Sequence, residues 1–544
     1  MRLRRAICYS LAQAGHSHHH HSLRFWYDNS VHVIELDVRL WLTITPGFRY
    51  NGFMNQGTSN LLDRDTCYQA LCSHDARFDG AFFVAVDTTG VYCRPVCPAR
   101  TPLPQNCSFY RTAAEAERAG YRPCLRCKPE QAPGRSQVDR TAKLARLVAE
   151  KIEDGALWSG SVADLASEIG VTDRHLRRIV LQEFGVSPIE LAQTQKLHTA
   201  RQLLQETNLT ITDIAFASGF TSLRRFHALF KERYDQAPGE LRRRRPAFLS
   251  STMIRSHLSY RPPYEWHGML HFLERRAVPG VEIVKFEDGG VYARSVALHG
   301  VTGSFEVRLR EDRNCLQIDI SQSLAPALLP LLCRIRRMFD LNCQPIQISE
   351  HLRDLAAPVP GMRLPGCIDG FEIVVRAICG QQISVAAART ILGRLAFKFG
   401  SRILPEGPSG LICLFPSAIT LAEADVSDVM ELGIIERRAR TLVESARACA
   451  NGVIDLMPGA TPEVTASQLM KIRGIGEWTA HYVCMRALSW PDAFPASDLG
   501  IMKALGVTDP AKAEDIAESW RPWRAYAAMH LWRSLERLEV NRKS

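Results

Sequence analysis

At 544 residues the chain is too long for one ordinary core, and at about 150 residues per domain it should hold roughly three to four. Hydrophobic residues make up 46% and charged residues 23%, and no apolar run reaches the roughly 18 residues a membrane span needs, which excludes an integral membrane protein. A net charge of +10 and an isoelectric point near 8.9 favour an anionic partner: nucleic acid, an acidic protein or a membrane surface.

The sixteen cysteines are spread along the chain and only one cluster has metal-ligand spacing. Reduced thiols and a cytoplasmic, nucleoid-associated setting are therefore expected rather than a disulfide framework. Arg2, Arg4 and Arg5 precede a short apolar run, but Cys8, Tyr9 and Ser10 interrupt it, so it makes a poor signal peptide. The run His18 to His21 has no patterned sequence around it. Residues 1–60 are assigned no function, as an unstructured tail or, with Met54 just ahead of the first patterned stretch, an upstream start-site artefact.

The first chemical cluster is VYCRPVC, Val91 to Cys97, followed by PCLRC, Pro123 to Cys127. Two short Cys pairs close two small chelate rings, and the thiols of Cys93, Cys97, Cys124 and Cys127 fill a tetrahedral zinc shell. Spacing alone leaves open a closed, purely structural knuckle. The segment from RFDGAFF to PCLRCKPE resembles the N-terminal domain of the bacterial Ada adaptive-response family. That resemblance implies that Cys93 takes a methyl group from a DNA phosphotriester in a single turnover. A zinc-held thiol is a thiolate at neutral pH, the species able to displace a methyl carbon. Turning one of four thiolates into a thioether also lowers the cluster's negative charge, which should tighten DNA binding. Arg94, Arg126 and Lys128 flank the ligands as candidate phosphate contacts, with solvated surface charge as the alternative.

A Pro/Gly-containing linker at 131–137 leads into helical periodicity at Asp139. Two similarly organised units follow, SVADLASEIGVTDRHLRRIVLQEF and TITDIAFASGFTSLRRFHALFKERY, each an apolar helix, a turn with Gly170 or Gly219, and a basic amphipathic helix. They resemble the paired helix-turn-helix modules of AraC-type regulators. The predicted recognition helices, 173–184 and 222–234, present Arg174, His175, Arg177 and Arg178, then Arg224, Arg225 and His227, and Arg242 to Arg245 end the domain either on the DNA backbone or as a solvated linker.

From Tyr260 the pattern changes to period-two runs, VEIVKFED, GVYARSVAL, SFEVRLRE and CLQIDIS, which predict a small antiparallel sheet flanked by helices. Beyond it the chain is helix-rich with short loops. KIRGIG supplies a glycine hairpin, EWTAHYVCMRAL sets Trp478 and Tyr482 one turn apart, and PDAFPASD ends in Asp498. Gly474 and Gly476 let a phosphate approach the N-terminus of the next helix, although a tight turn that binds nothing has the same sequence. Taken alone, Asp498 is most simply a helix N-cap.

From Tyr260 to Glu539 these motifs resemble the AlkA family of alkylpurine DNA glycosylases. The resemblance implies that Asp498 stabilises an oxocarbenium-like sugar, that Trp478, Tyr482 and Trp532 receive a cationic alkylated base, and that Gln382 fills the stack the base vacates. Gln382 departs from the family, which carries an apolar side chain there. Trp478 stands where strand-cutting relatives have a Schiff-base lysine, so a monofunctional glycosylase is expected. No cysteine follows Cys484, so no iron–sulfur cluster is expected, and no PCHR-type alkylguanine transferase site is present.

The expected fold is multidomain, mainly α with α+β parts: a small zinc domain (61–131), a tandem helix-turn-helix domain (139–245), a small antiparallel sheet domain (257–345) and a helical helix-hairpin-helix glycosylase domain (346–540). Expected partners are alkylated double-stranded DNA, promoter DNA and RNA polymerase, for a monomeric chain that binds one zinc. The rival expectation is a transcription regulator whose C-terminal part is only a DNA-binding scaffold.

Overall fold

The computed structural model describes residues 22–27, 30–35, 64–133, 143–158, 160–243, 253–403, 408–457 and 459–541. His18 to His21, Met54, most of the predicted linker, and Arg244 and Arg245 lie outside them. The N-terminal unit, residues 1–61, contributes an antiparallel hairpin of β1 (Ser22–Tyr27) and β2 (Ser30–Glu35), where the sequence suggests no element.

Within the second unit, residues 62–544, helix α1 (Arg64–Cys72) precedes a four-stranded sheet of β3 (Phe83–Val86), β4 (Val91–Cys93), β5 (Cys107–Tyr110) and β6 (Arg122–Pro123). The strand order is β5-β3-β4-β6, with β4 and β6 parallel. Helix α2 (Ala113–Arg118) crosses this sheet and carries Glu117.

The helix-turn-helix region runs from α3 (Lys143–Glu153) through α4 (Val162–Ile169), α5 (Asp173–Phe184), α6 (Pro188–Glu206), α7 (Ile211–Ala217) and α8 (Leu223–Tyr234) to α9 (Pro238–Arg243). Local chemistry accounts for the boundaries. Ser161 with Asp164, Ser187 with Glu190 and Thr210 with Asp213 form reciprocal capping boxes that satisfy orphan first-turn N–H groups. Gly170 ends α4 at φ +79°, a left-handed conformation that costs any other residue more.

A buried carboxylate joins these two domains. Glu117 accepts from the Tyr92 hydroxyl (2.9 Å), the Thr194 hydroxyl (2.6 Å) and the Arg233 guanidinium, with His198 Nε2 at 3.0 Å. Burial pushes His198 down to about 4, so it is neutral and the positive partner is Arg233. Glu117→Ala should therefore destabilise this junction by about 1–3 kcal/mol, because the buried Tyr92 and Thr194 hydroxyls would lose their acceptor and the half-buried Arg233 its counter-charge. Urea unfolding checks this: an unchanged midpoint contradicts it.

The sheet domain holds β7 (Met253–Ser259), α10 (Trp266–Glu274), β8 (Glu282–Lys285), β9 (Val291–Leu298), β10 (Val301–Arg310), β11 (Cys315–Ser321) and α11 (Leu328–Met338), in the order β7-β11-β10-β9-β8. The period-two runs begin the sheet one strand too late. β7, reading MIRSHLS, precedes Tyr260 and pairs with β11, and its few apolar residues give a weak pattern that only tertiary pairing completes. This sheet shares one apolar core with the second helix-turn-helix unit, where Phe226 and Phe230 of α8 belong with Ile254, Phe305 and Ile318. Such continuity explains why no clean hydrophobic break marks the join.

The C-terminal region comprises α12 (Pro345–Leu352), α13 (Gly370–Gly380), α14 (Val385–Phe399), α15 (Ala418–Ala422), α16 (Val426–Met430), α17 (Glu436–Ala450), α18 (Pro462–Met470), α19 (Glu477–Ala487), α20 (Leu499–Leu505), α21 (Pro510–Ala517) and α22 (Arg524–Asn541). Asp340 pins it to the sheet domain, accepting from Tyr526 Oη (2.7 Å) and Leu364 N (3.0 Å). Burial pushes this carboxyl up from 3.8 to about 6. The folded state thus holds a proton that the unfolded chain gives up earlier, so stability falls as pH rises from about 4 through 6, by up to about 3 kcal/mol. Thermal midpoints across that window should lose this component in Asp340→Asn; an unaltered pH dependence contradicts it.

Candidate active site

The hairpin sits between α18 and α19. Gly474 takes φ +99°, and a Cβ there would lie 2.4 Å from Thr441 Oγ1, so no larger residue fits. Gly476 is the N-cap of α19, where no side chain caps the first-turn N–H groups and the space over its Cα is open. Uncapped N–H groups and the positive end of the helix dipole suit an anion.

Asp498 is both a cap and a site residue. Its Oδ1 accepts from Ile501 N (2.9 Å), which starts α20, and from Trp532 Nε1 (2.9 Å), while Oδ2 accepts from Trp478 Nε1 (2.9 Å). A carboxylate has about four lone-pair positions, so these three N–H donors fix the group and leave one position on Oδ2. Trp478 stacks on Tyr482 with ring centres 5.4 Å apart and planes 4° from parallel, and Trp532 meets Tyr482 edge-on at 6.4 Å. The three aromatic residues of the sequence analysis thus converge on Asp498.

The loop that delivers Asp498 is braced from two sides. Arg524 pairs with both carboxylate oxygens of Asp492 (2.8 and 3.1 Å), Ala525 N donates to Pro491 O (2.9 Å), and His481 Nδ1 lies 2.9 Å from Phe494 O. Both ends of the brace come from the helices that carry the tryptophans, α19 and α22, so ring and carboxylate positions are set together.

Three residues of this site escape the sequence analysis. Arg486 donates to the Tyr482 hydroxyl (2.9 Å) and to Gly366 O (3.1 Å), and Phe272 and Arg276 line a cavity that Trp532 also borders. Burial alone would raise the Tyr482 phenol, but Arg486 and Arg276 outweigh it and lower it below its ordinary value. Arg486 lies at positions i+8 and i+4 from Trp478 and Tyr482, a same-face spacing that could have marked it. Phe272 and Arg276 carry no such signal, since FLERRA reads as an ordinary amphipathic helix and its end.

Gln382 is exposed in the loop between α13 and α14 at φ +56°. Among the helix-turn-helix residues, Arg174 and Arg178 on α5 and Arg224, Arg225 and His227 on α8 are exposed, whereas Arg177 pairs with Asp173 at 2.9 Å.

The four-cysteine cluster follows from strand register. Tyr92 pairs with Pro123 across the parallel strands β4 and β6, so the next residues, Cys93 and Cys124, emerge side by side, with Cys124 N donating to Tyr92 O (3.0 Å). Short turns return Cys97 and Cys127, and the four sulfurs lie within 4.8 Å of one another. Four soft thiols at that separation fit a tetrahedral zinc ion.

Of the three flanking basic residues, Arg94 is corrected by its burial. Arg94 is buried, ion-paired with Asp79 and bonded to Cys127 O (3.2 Å) and Ser259 Oγ (2.8 Å), so its guanidinium is used in tying the zinc domain to β7. Lys128 is half-buried and faces Glu206 at 3.7 Å. Arg126 alone of the three is exposed.

This combination defines a helix-hairpin-helix repair domain joined to a cysteine-metal domain and a DNA-binding helix pair. Four family descriptions match along the chain: "Metal binding domain of Ada" over residues 66–130, "Helix-turn-helix domain" over 165–244, "AlkA N-terminal domain" over 255–369 and "HhH-GPD superfamily base excision DNA repair protein" over 375–524. A "Probable bifunctional transcriptional activator/DNA repair enzyme AlkA" of Mycobacterium tuberculosis is 38% identical over 491 residues, 87% of this chain and 97% of that protein. DNA-3-methyladenine glycosylase 2 of Escherichia coli is 38% identical across 51% of this chain and 95% of its own length. The bifunctional activator/repair enzyme AdaA of Bacillus subtilis is 32% identical across 33% of this chain and 82% of its own. The chain belongs to the family of bifunctional transcriptional activator/DNA repair enzymes of the AlkA type. Among the described residues no helix is long and apolar enough to cross a membrane.

Proposed function

We propose that the protein releases alkylated purines from double-stranded DNA as a monofunctional glycosylase, accepts methyl groups from DNA phosphotriesters on Cys93, and binds promoter DNA through α5 and α8. The observation that carries the first activity is the Asp498 carboxylate, held by three N–H donors beside stacked aromatic faces. As the glycosidic bond breaks, its electron pair leaves with the base, and the sugar becomes positive next to Oδ2. A fixed anion is worth most where charge develops. Alkylation already makes the base cationic, so it leaves without a separate acid, and aromatic faces favour it while it is charged. Water adds to the sugar cation and gives up a proton to solvent, and with Trp478 in place of a Schiff-base lysine the abasic strand stays uncut.

In the metal domain, Cys93, Cys97, Cys124 and Cys127 would hold zinc, which would keep their thiols as thiolates at neutral pH. The Cys93 sulfur forms the S–CH3 bond, the ester C–O bond breaks, and the phosphodiester leaves with the electron pair. Arg126, exposed between the ligands Cys124 and Cys127, would contact the DNA backbone.

The test is incubation of the protein with duplex DNA containing one N-methylated purine. Free methylated base and an intact abasic strand are expected. No base release contradicts the glycosylase, and strand cleavage contradicts its monofunctional character.

A further inference from the structure

The loop that exposes Gln382 is hydrogen-bonded to the hairpin by the residue before it. Gln381 Nε2 donates to the hairpin carbonyl Gly474 O (3.0 Å) and lies 3.1 Å from Thr479 Oγ1 in the first turn of α19. The backbone oxygen of Gln381 accepts from Arg438 on α17 (2.6 Å), and Thr441, one turn further along α17, places Oγ1 2.8 Å from Arg473 O in the hairpin. One side chain and one carbonyl therefore join three elements: the loop end of α13, the hairpin, and the start of α17.

We infer that Gln381 is a positioning residue that couples the hairpin's hold on the DNA backbone to insertion of Gln382 into the base stack. The inference rests on the reading of Gln382 as the residue that fills the vacated stack. Left-handed backbone at a non-glycine residue is unfavourable and persists only where the surroundings impose it; here Gln382 sits at φ +56° directly after the bonded carbonyl of Gln381. Gln382 is polar and gains little from stacking, so its value as a wedge depends on being held in place rather than on its own apolar surface. Gln381 supplies that hold from the element that grips the phosphate. Once the hairpin is seated, the loop cannot withdraw from the duplex without breaking the bond to Gly474 O.

The experiment uses the full chain, single-turnover base release and two substrates: a fully paired duplex with one N-methylated purine, and the same strand with that purine as an unpaired single-nucleotide bulge. Gln381→Met keeps the length of the side chain and removes the amide. It should slow release from the paired duplex by roughly tenfold, about the worth of one or two hydrogen bonds, and from the bulge by less than about twofold, since unpairing has already been accomplished there. Gln382→Ala should show the same pattern, and the double variant should be no slower than Gln382→Ala. Equal slowing of Gln381→Met on both substrates marks a purely structural defect and overturns the inference, as does no slowing on either. If Gln382→Ala keeps the full paired-duplex rate, the wedge reading itself fails. If Gln382→Ala is slow and Gln381→Met is not, only the coupling fails.

Discussion

Asp498→Asn should lower base release by at least about 10²-fold to 10³-fold while leaving affinity for undamaged duplex nearly unchanged. Asparagine caps a helix about as well as aspartate, so the bond from Ile501 N is kept and α20 should start where it does now. The carbonyl oxygen can also keep the Trp532 indole as a donor. What disappears is the negative charge beside the sugar and the acceptor for Trp478 Nε1, which would face an amide N–H instead. Single-turnover kinetics separate these effects from folding: Asp498→Ala loses the cap as well, at about 1 kcal/mol of stability, whereas the asparagine variant keeps the cap and gives up only the Trp478 bond. Base release by Asp498→Asn at the parent rate would show that the carboxylate stabilises nothing in the transition state.

Cys93→Ser should take methyl transfer from one group per chain to none, because a serine hydroxyl is not ionised at neutral pH and cannot displace a methyl carbon. Intact-protein mass spectrometry after exposure to phosphotriester-containing DNA reads this directly, and peptide mapping of the parent should find the methyl on Cys93. Structural zinc in small cysteine sites is held by about 10–16 kcal/mol through all its ligands together, so replacing Cys93 and Cys97 at once should release the metal. Methyl found on another cysteine, or zinc retained by the double variant, contradicts the assignment. The serine variant should still release methylated purine, since Asp498 and its aromatic partners are built from α19, α20 and α22.

How much of this was legible in the sequence depends on how far apart the interacting residues lie. The cysteine pairs, the turn at Gly170 and the run from Gly474 to Asp498 carry their meaning within a few positions, and the structure uses them locally. Arg94 shows the opposite case. Beside zinc ligands it looks like a phosphate contact, yet its partners Asp79 and Ser259 are brought to it by the fold, the second from another domain. Phe272 and Arg276 were invisible for the same reason, reaching the aromatic pocket from the sheet domain.

Asp498 shows the limit most clearly. Sequence offered two readings, cap or catalytic anion, as though one excluded the other; the carboxylate has two oxygens and enough lone pairs for both tasks. By itself the sequence determined the two cysteine pairs of the zinc site, the glycine turn at Gly474 and the cap at Asp498, because metal chelation, helix capping and glycine turns depend on neighbours in the chain, whereas Trp532 entered only through the family resemblance. Only the tertiary structure decided which basic residues remain exposed, how Gln381 ties the loop to the hairpin, and how two indole N–H groups hold one carboxylate. Those facts depend on burial and on directions set by packing, which no spacing along the chain encodes.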